Sequence, residues 1–101
     1  MKTFKIKIYQ TKRSIKYSFM DYEYAMKNGF KMEDYDLVAE FSREDYEPVW
    51  KMLDKIYDFG NRGIIQQLCN DEWMRSISMS DIIEIDGVKY YVDSFGFKEV
   101  E

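Results

Sequence analysis

Residues 78–100, SMSDIIEIDGVKYYVDSFGFKEV, decide how this chain folds. Asp86-Gly87 is a two-residue turn whose members both tolerate positive φ, as a tight hairpin requires. Folding the flanks around that turn sets a register. Ile85 faces Val88, Ile83 faces Tyr90 and Asp81 faces Val92 on one side, while Glu84 faces Lys89 and Ile82 faces Tyr91 on the other. The first side is almost wholly apolar; the second carries an opposite-charge pair and an aromatic–aliphatic pair, both of which stabilise neighbouring strands. A slip by one residue would turn Glu84 and Lys89 into the core, so the register is well specified. An isolated hairpin is marginal in water and needs a third strand or a helix beneath it.

The chain upstream supplies both. Residues 3–10, TFKIKIYQ, alternate with Phe4, Ile6 and Ile8 inward and Lys5, Lys7 and Tyr9 outward, which predicts a half-buried strand. Ser18 or Asp21 caps a short helix over residues 22–28, with Phe19, Tyr22, Ala25 and Met26 on its apolar side and Gly29 as the left-handed residue past its end. Residues 35–41 predict a second strand with Tyr35, Leu37, Ala39 and Phe41 inward; Asp36, Val38 and Glu40 fall outward. Asp45 is the expected N-cap of the longest helix, with Pro48 in its first turn and Gly60 at its end. Its apolar face reads Val49, Trp50, Leu53, Ile56 and Tyr57, and Trp50 and Leu53 are expected to lie under the hairpin. Asn61 caps a shorter helix holding Ile64, Ile65 and Leu68, after which 70–72 loop out to Trp73 and Met74. The expected fold is a single α+β domain over 1–101, with a mainly antiparallel sheet of about four strands and two to three helices packed on it.

Composition narrows the chemistry. The 101 residues contain no histidine, which removes the commonest general base and metal ligand. Cys69 is alone, so neither an intramolecular disulfide nor a cysteine zinc site can form, and its apolar neighbours mark it as a core residue. Asp81, Glu84, Asp86 and Asp93 gather around the hairpin, but their spacing matches no cation-binding loop, and Asp86 is already explained by the turn. Residues 60–63, GNRG, lack the strand before and the Lys-Ser/Thr after that a phosphate loop needs. No catalytic residue, metal or cofactor is therefore expected. No apolar run approaches a membrane span and the first residues lack a signal-peptide core, so the expected location is cytoplasmic.

Charge is unevenly placed. Residues 1–16 carry Lys2, Lys5, Lys7, Lys12, Arg13 and Lys16 without an acid, whereas 33–47 carry Glu33, Asp34, Asp36, Glu40, Glu44, Asp45 and Glu47 against Arg43 alone. Such an arrangement fits an ordinary solvated surface, or a dipolar one that steers toward a charged partner. The basic strand, interleaved with Tyr9 and Tyr17, suits nucleic acid, although the net charge of −4 argues against that reading. The acidic segment suits the reverse: carboxylates with tyrosines between them imitate a phosphate backbone and fit a basic groove.

Several of these runs resemble the YodL-like domains. The residues are Ile8-Tyr9-Gln10, Phe19-Met20, Tyr35-Asp36-Leu37-Val38, the run 78–84 and, most specifically, 90–97, YYVDSFGF. They occur in the family's order across most of the chain. Where the family shows a histidine before Ser78, this sequence has Arg75 or Ser76, so a role for that histidine is absent. The resemblance implies a setting among bacterial mobile elements, beside anti-restriction and other counter-defence genes. It thereby implies a small anti-CRISPR protein that binds the basic surface of an RNA-guided CRISPR effector nuclease and blocks guide loading or target access. The seven carboxylates of 33–47 are the expected contact. The alternative is a non-catalytic nucleic-acid-binding or protein-interaction module of a mobile element.

Overall fold

The computed structural model describes residues 1–69 and 74–100. In chain order they form strand β1 (Lys2–Thr11), helix α1 (Tyr22–Lys27), a 3-10 turn (Met32–Asp34), strand β2 (Tyr35–Asp45), helices α2 (Val49–Asn61) and α3 (Ile64–Leu68), and strands β3 (Ile82–Ile85), β4 (Val88–Val92) and β5 (Phe97–Val100). The five strands make one antiparallel sheet in the order β2-β1-β3-β4-β5. The α+β class is as expected. The fifth strand is an addition to the expected four: Phe97–Val100 runs back along β4, pairing Phe97 with Val92.

The hairpin forms in the register the turn dictates, with Ile85 opposite Val88 and Glu84 opposite Lys89. Asp86 and Gly87 both take positive φ, 50° and 88°. The missing third strand is β1, which sets Ile6 against Ile85 and Ile8 against Ile83.

Both faces of the sheet are covered, which a single apolar face did not predict. On one side Phe4, Ile6, Ile8, Ala39, Ile83, Ile85 and Val92 pack with Met52, Leu53 and Ile56 of α2, Ile65 of α3, and Met74 and Ile77. On the other, Ile82 and Tyr91 are fully buried beneath Tyr17, Ala25 and Tyr35. The aromatic–aliphatic pair is thus the floor of a second core. Phe30 closes it with ring contacts to Tyr17, Tyr35 and Tyr91 at 5.8–5.9 Å.

Strand β2 departs from the expected alternation at Val38. The register with β1 jumps from Ile8 opposite Ala39 to Tyr9 opposite Leu37, leaving Val38 as an extra residue. Such a bulge reverses which side chains face inward. Tyr35 therefore enters the second core, Ala39 the first, Val38 packs against the first, and Leu37 is exposed.

Helix α2 is rotated from the predicted face. Met52, Leu53, Ile56 and Gly60 are buried, whereas Trp50 is 64% exposed and Tyr57 stands at the surface against Phe97. Pro48, not Asp45, is the N-cap. Asp45 instead ends β2, where its carboxylate accepts from the Tyr46 and Glu47 N–H groups and meets Arg43 and Lys55 at 3.1 and 2.6 Å. Gly60 does not stop the helix; a side chain there would collide with Ile77. Asn61, expected to cap α3, is the last residue of α2; Gly63 (φ 76°) precedes α3, and of Ile64, Ile65 and Leu68 in that helix only Ile65 is buried. Helix α1 is capped by Asp21, whose Oδ1 accepts from the Tyr24 N–H at 2.8 Å, but only Ala25 of its side is buried; Phe19 and Met26 are exposed. The loop expected at 70–72, with Trp73 after it, lies outside the described residues.

Candidate functional site

The seven carboxylates of 33–47 do not form one cluster. Asp34 accepts the Tyr17 hydroxyl at 2.8 Å, and the Asp45 carboxylate is spent on the β2–α2 corner. Glu47 pairs with Lys51 at 3.8 Å on the first turn of α2. The remaining four, Glu33, Asp36, Glu40 and Glu44, are exposed. Three of these lie on β2, which is an edge strand, and Glu40 and Glu44 share the sheet face away from α2. Residues 36 to 44 span roughly 27 Å at the rise of an extended chain. An open strand edge is thereby lined with carboxylates, which also prevents it from pairing with another sheet.

The basic first strand is largely answered from within. Antiparallel pairing lays acidic β2 beside basic β1, so Lys7 meets Glu40 at 3.7 Å and Lys2 reaches Asp86 at 3.1 Å. Glu84 accepts the Tyr9 hydroxyl at 3.1 Å and pairs with Lys89 at 3.2 Å. Burial, aided by that bond to Glu84, pushes the Tyr9 hydroxyl up to about 12. Tyr17 is buried. Of the basic track expected on Lys5, Lys7, Lys12 and Arg13 with Tyr9 and Tyr17, Lys7 is paired, the Tyr9 hydroxyl is bonded and Tyr17 is buried, while Lys5, Lys12 and Arg13 stay exposed.

The carboxylates around the hairpin are also kept apart. Asp86 accepts the Lys5 N–H at 2.9 Å, and Asp93 accepts the Tyr22 N–H at 3.0 Å and the Ser94 N–H at 2.8 Å. Asp81 is completely buried. Its oxygens accept from the Ser78 N–H at 2.9 Å and Gln10 Nε2 at 3.1 Å and face the Arg75 guanidinium at 3.4 Å. Burial outweighs these partners and raises the Asp81 carboxyl to about 6. Among the described residues no three acidic or cysteine side chains converge as a metal centre would need.

What the structure does bring together is one end of the sheet. The Phe19 N–H donates to Ser80 Oγ at 2.8 Å, the Tyr35 hydroxyl to the Ser80 carbonyl, and the Tyr91 hydroxyl to the Met20 carbonyl at 2.8 Å. Phe19 and Ser80 both hold positive φ, 66° and 84°, a costly state for residues with a side chain. Four of the sequence runs singled out above, around Gln10, Phe19, Tyr35 and 78–84, thus meet at the Ser80–Asp81 corner, with Tyr91 of the fifth.

The YodL-like domain model matches residues 5–101. The chain belongs to the YodL-like domain family. Neither a curated protein nor a solved structure matches it. In this YodL-like domain the runs that carry the family likeness are therefore a hydrogen-bonded corner, and only part of each run reaches the surface. Its second specific feature is the turn between β4 and β5, where Asp93 N–H donates to the Gly96 carbonyl at 3.1 Å and Phe95 stands 91% exposed. No sequence signal marks the Arg75 contact, because five residues separate it from Asp81 without any helical or strand period. No helix among the described residues is long and apolar enough to cross a membrane.

Proposed function

We propose that this YodL-like domain is a counter-defence protein of a mobile element. It acts without catalysis, as an anti-CRISPR inhibitor that binds the basic surface of an RNA-guided effector nuclease. The observation that carries the reading is the carboxylate-lined open edge of β2, with Asp36, Glu40 and Glu44 exposed along it. An effector's guide channel is strongly positive because it grips a nucleic-acid backbone, so an acidic strand edge complements it. Charge of this kind acts mainly on encounter rate and partner choice. The fold sorts the carboxylates for this task. Asp34 and Asp45 hold the domain together, Glu40 is exposed but shared with Lys7, and Glu33, Asp36 and Glu44 are left to meet a partner.

The test is cleavage of a target duplex by a purified CRISPR effector nuclease, with the domain added before or after guide RNA. Inhibition by the wild type, stronger when added before the guide, is expected; reversal of Asp36, Glu40 and Glu44 to lysine should abolish it. Reversal of Lys5 should change little. Undiminished inhibition by the triple variant would remove the acidic edge from the contact.

A further inference from the structure

The corner that holds Phe19 also builds a surface of opposite character. Three independent bonds fix the loop before α1: Phe19 N–H to Ser80 Oγ, Met20 N–H to the Tyr17 carbonyl at 3.0 Å, and the Tyr91 hydroxyl to the Met20 carbonyl. Together they hold a phenylalanine at φ 66° with 53% of its surface in solvent. Its ring lies 4.9 Å from the Arg75 guanidinium, whose charge is anchored by buried Asp81. Arg75 Nη2 also reaches Thr11 Oγ1 at 3.4 Å, and Ser18 Oγ donates to the same oxygen at 2.7 Å. Thr11 leads directly into Lys12, Arg13 and Lys16, all exposed and, among the described residues, in no ion pair. The adjoining 3-10 turn carries Glu33, which is exposed, and Asp34, which accepts the Tyr17 hydroxyl.

We propose that this corner is a binding site for single-stranded nucleic acid: a base stacks on the Phe19 ring beside Arg75, and the flanking phosphates lie on Lys12, Arg13 and Lys16. Stacking on an exposed aromatic next to a basic track is how strands are held without sequence readout. A duplex, whose bases are already stacked, offers only its phosphates. The site adjoins the Asp36 end of β2, where Asp36 pairs with Gln10 and Tyr35 with Thr11, and lies away from Glu40 and Glu44; it does not depend on the inhibitor reading.

The test is fluorescence anisotropy of the full chain with a 5′-fluorescein oligouridylate of about 12 nucleotides at roughly 50 mM salt. Binding is expected to the oligouridylate and to be weaker for a duplex of equal length. Phe19→Gly is the decisive variant, since glycine suits positive φ: thermal stability should hold or rise while affinity falls by about tenfold or more. Phe19→Trp should retain binding. Replacing Lys12, Arg13 and Lys16 by alanine should weaken binding and flatten its salt dependence. Failure of the wild type to bind, or equal affinity of Phe19→Gly, overturns the proposal. So does competition by inorganic polyphosphate that Phe19→Gly leaves unchanged, which would indicate charge alone.

Discussion

Asp81 is the residue whose chemistry depends most on its surroundings. A carboxyl raised from 3.8 to about 6 is protonated more readily in the folded chain than in the unfolded one. Between about pH 4 and pH 6 the folded state therefore holds the extra proton, and stability from this group is lost as pH rises through that window. The loss is on the order of 3 kcal/mol. Asp81→Asn keeps an acceptor for the Ser78 N–H and removes the titration. Denaturant unfolding across pH 4 to 7 should show a fall in the wild type that the variant lacks; parallel curves would contradict this account. Gly60 makes a second prediction at this scale. Alanine gains about 1 kcal/mol of helix propensity, yet its methyl would strike the buried Ile77 side chain. Overpacking costs about 1–3 kcal/mol, so Gly60→Ala should lower stability, and in an Ile77→Ala background, which removes both Cγ1 and Cδ1, the same substitution should cost much less. The glycine was legible in the sequence only as a helix stop, because a close approach from a distant loop leaves no local signal.

Among the elements, the register of the hairpin was legible but the burial of its second face, Ile82 and Tyr91, was not, and α2 was only half legible. Asp-Gly between alternating runs carries its own register, whereas a helix with apolar residues on two sides does not say which side is inward. Trp50 and Met52 competed for the core, and Met52, flexible enough to fill it, is fully buried. Trp50→Ala should thus change stability by less than about 1 kcal/mol, while Ile56→Ala should cost about 2–5 kcal/mol. Chemical denaturation distinguishes them, and a large loss at Trp50 would place that helix the other way round. The bulge at Val38 was written in the sequence as an aliphatic residue on the wrong phase, and the shift of face explains it. The fifth strand escaped notice because Phe97–Val100 has only four residues and two of them, Lys98 and Glu99, are charged and exposed.

At the scale of the molecule, the charge asymmetry that stood out along the chain is partly undone by topology. Basic β1 and acidic β2 are neighbours, and pairs such as Lys7–Glu40 compensate one another. What survives is a spatial division: carboxylates on the outer strand, and Lys12, Arg13 and Lys16 at the end of the sheet. The candidate contact was legible as a stretch, but which of its seven acids stay free depends on tertiary partners that only the fold supplies. Exposed ion pairs contribute about 0–1 kcal/mol each, so in the proposed contact these acids would act together, through association rate. The direct measurement is the association rate of the domain with a guide-free CRISPR effector nuclease across ionic strength, for the wild type and the Asp36→Lys, Glu40→Lys, Glu44→Lys triple variant. Fast association that slows steeply with salt for the wild type, and slow association indifferent to salt for the variant, is the predicted result. Equal rates for the two proteins at every salt concentration would contradict the acidic edge as the docking surface.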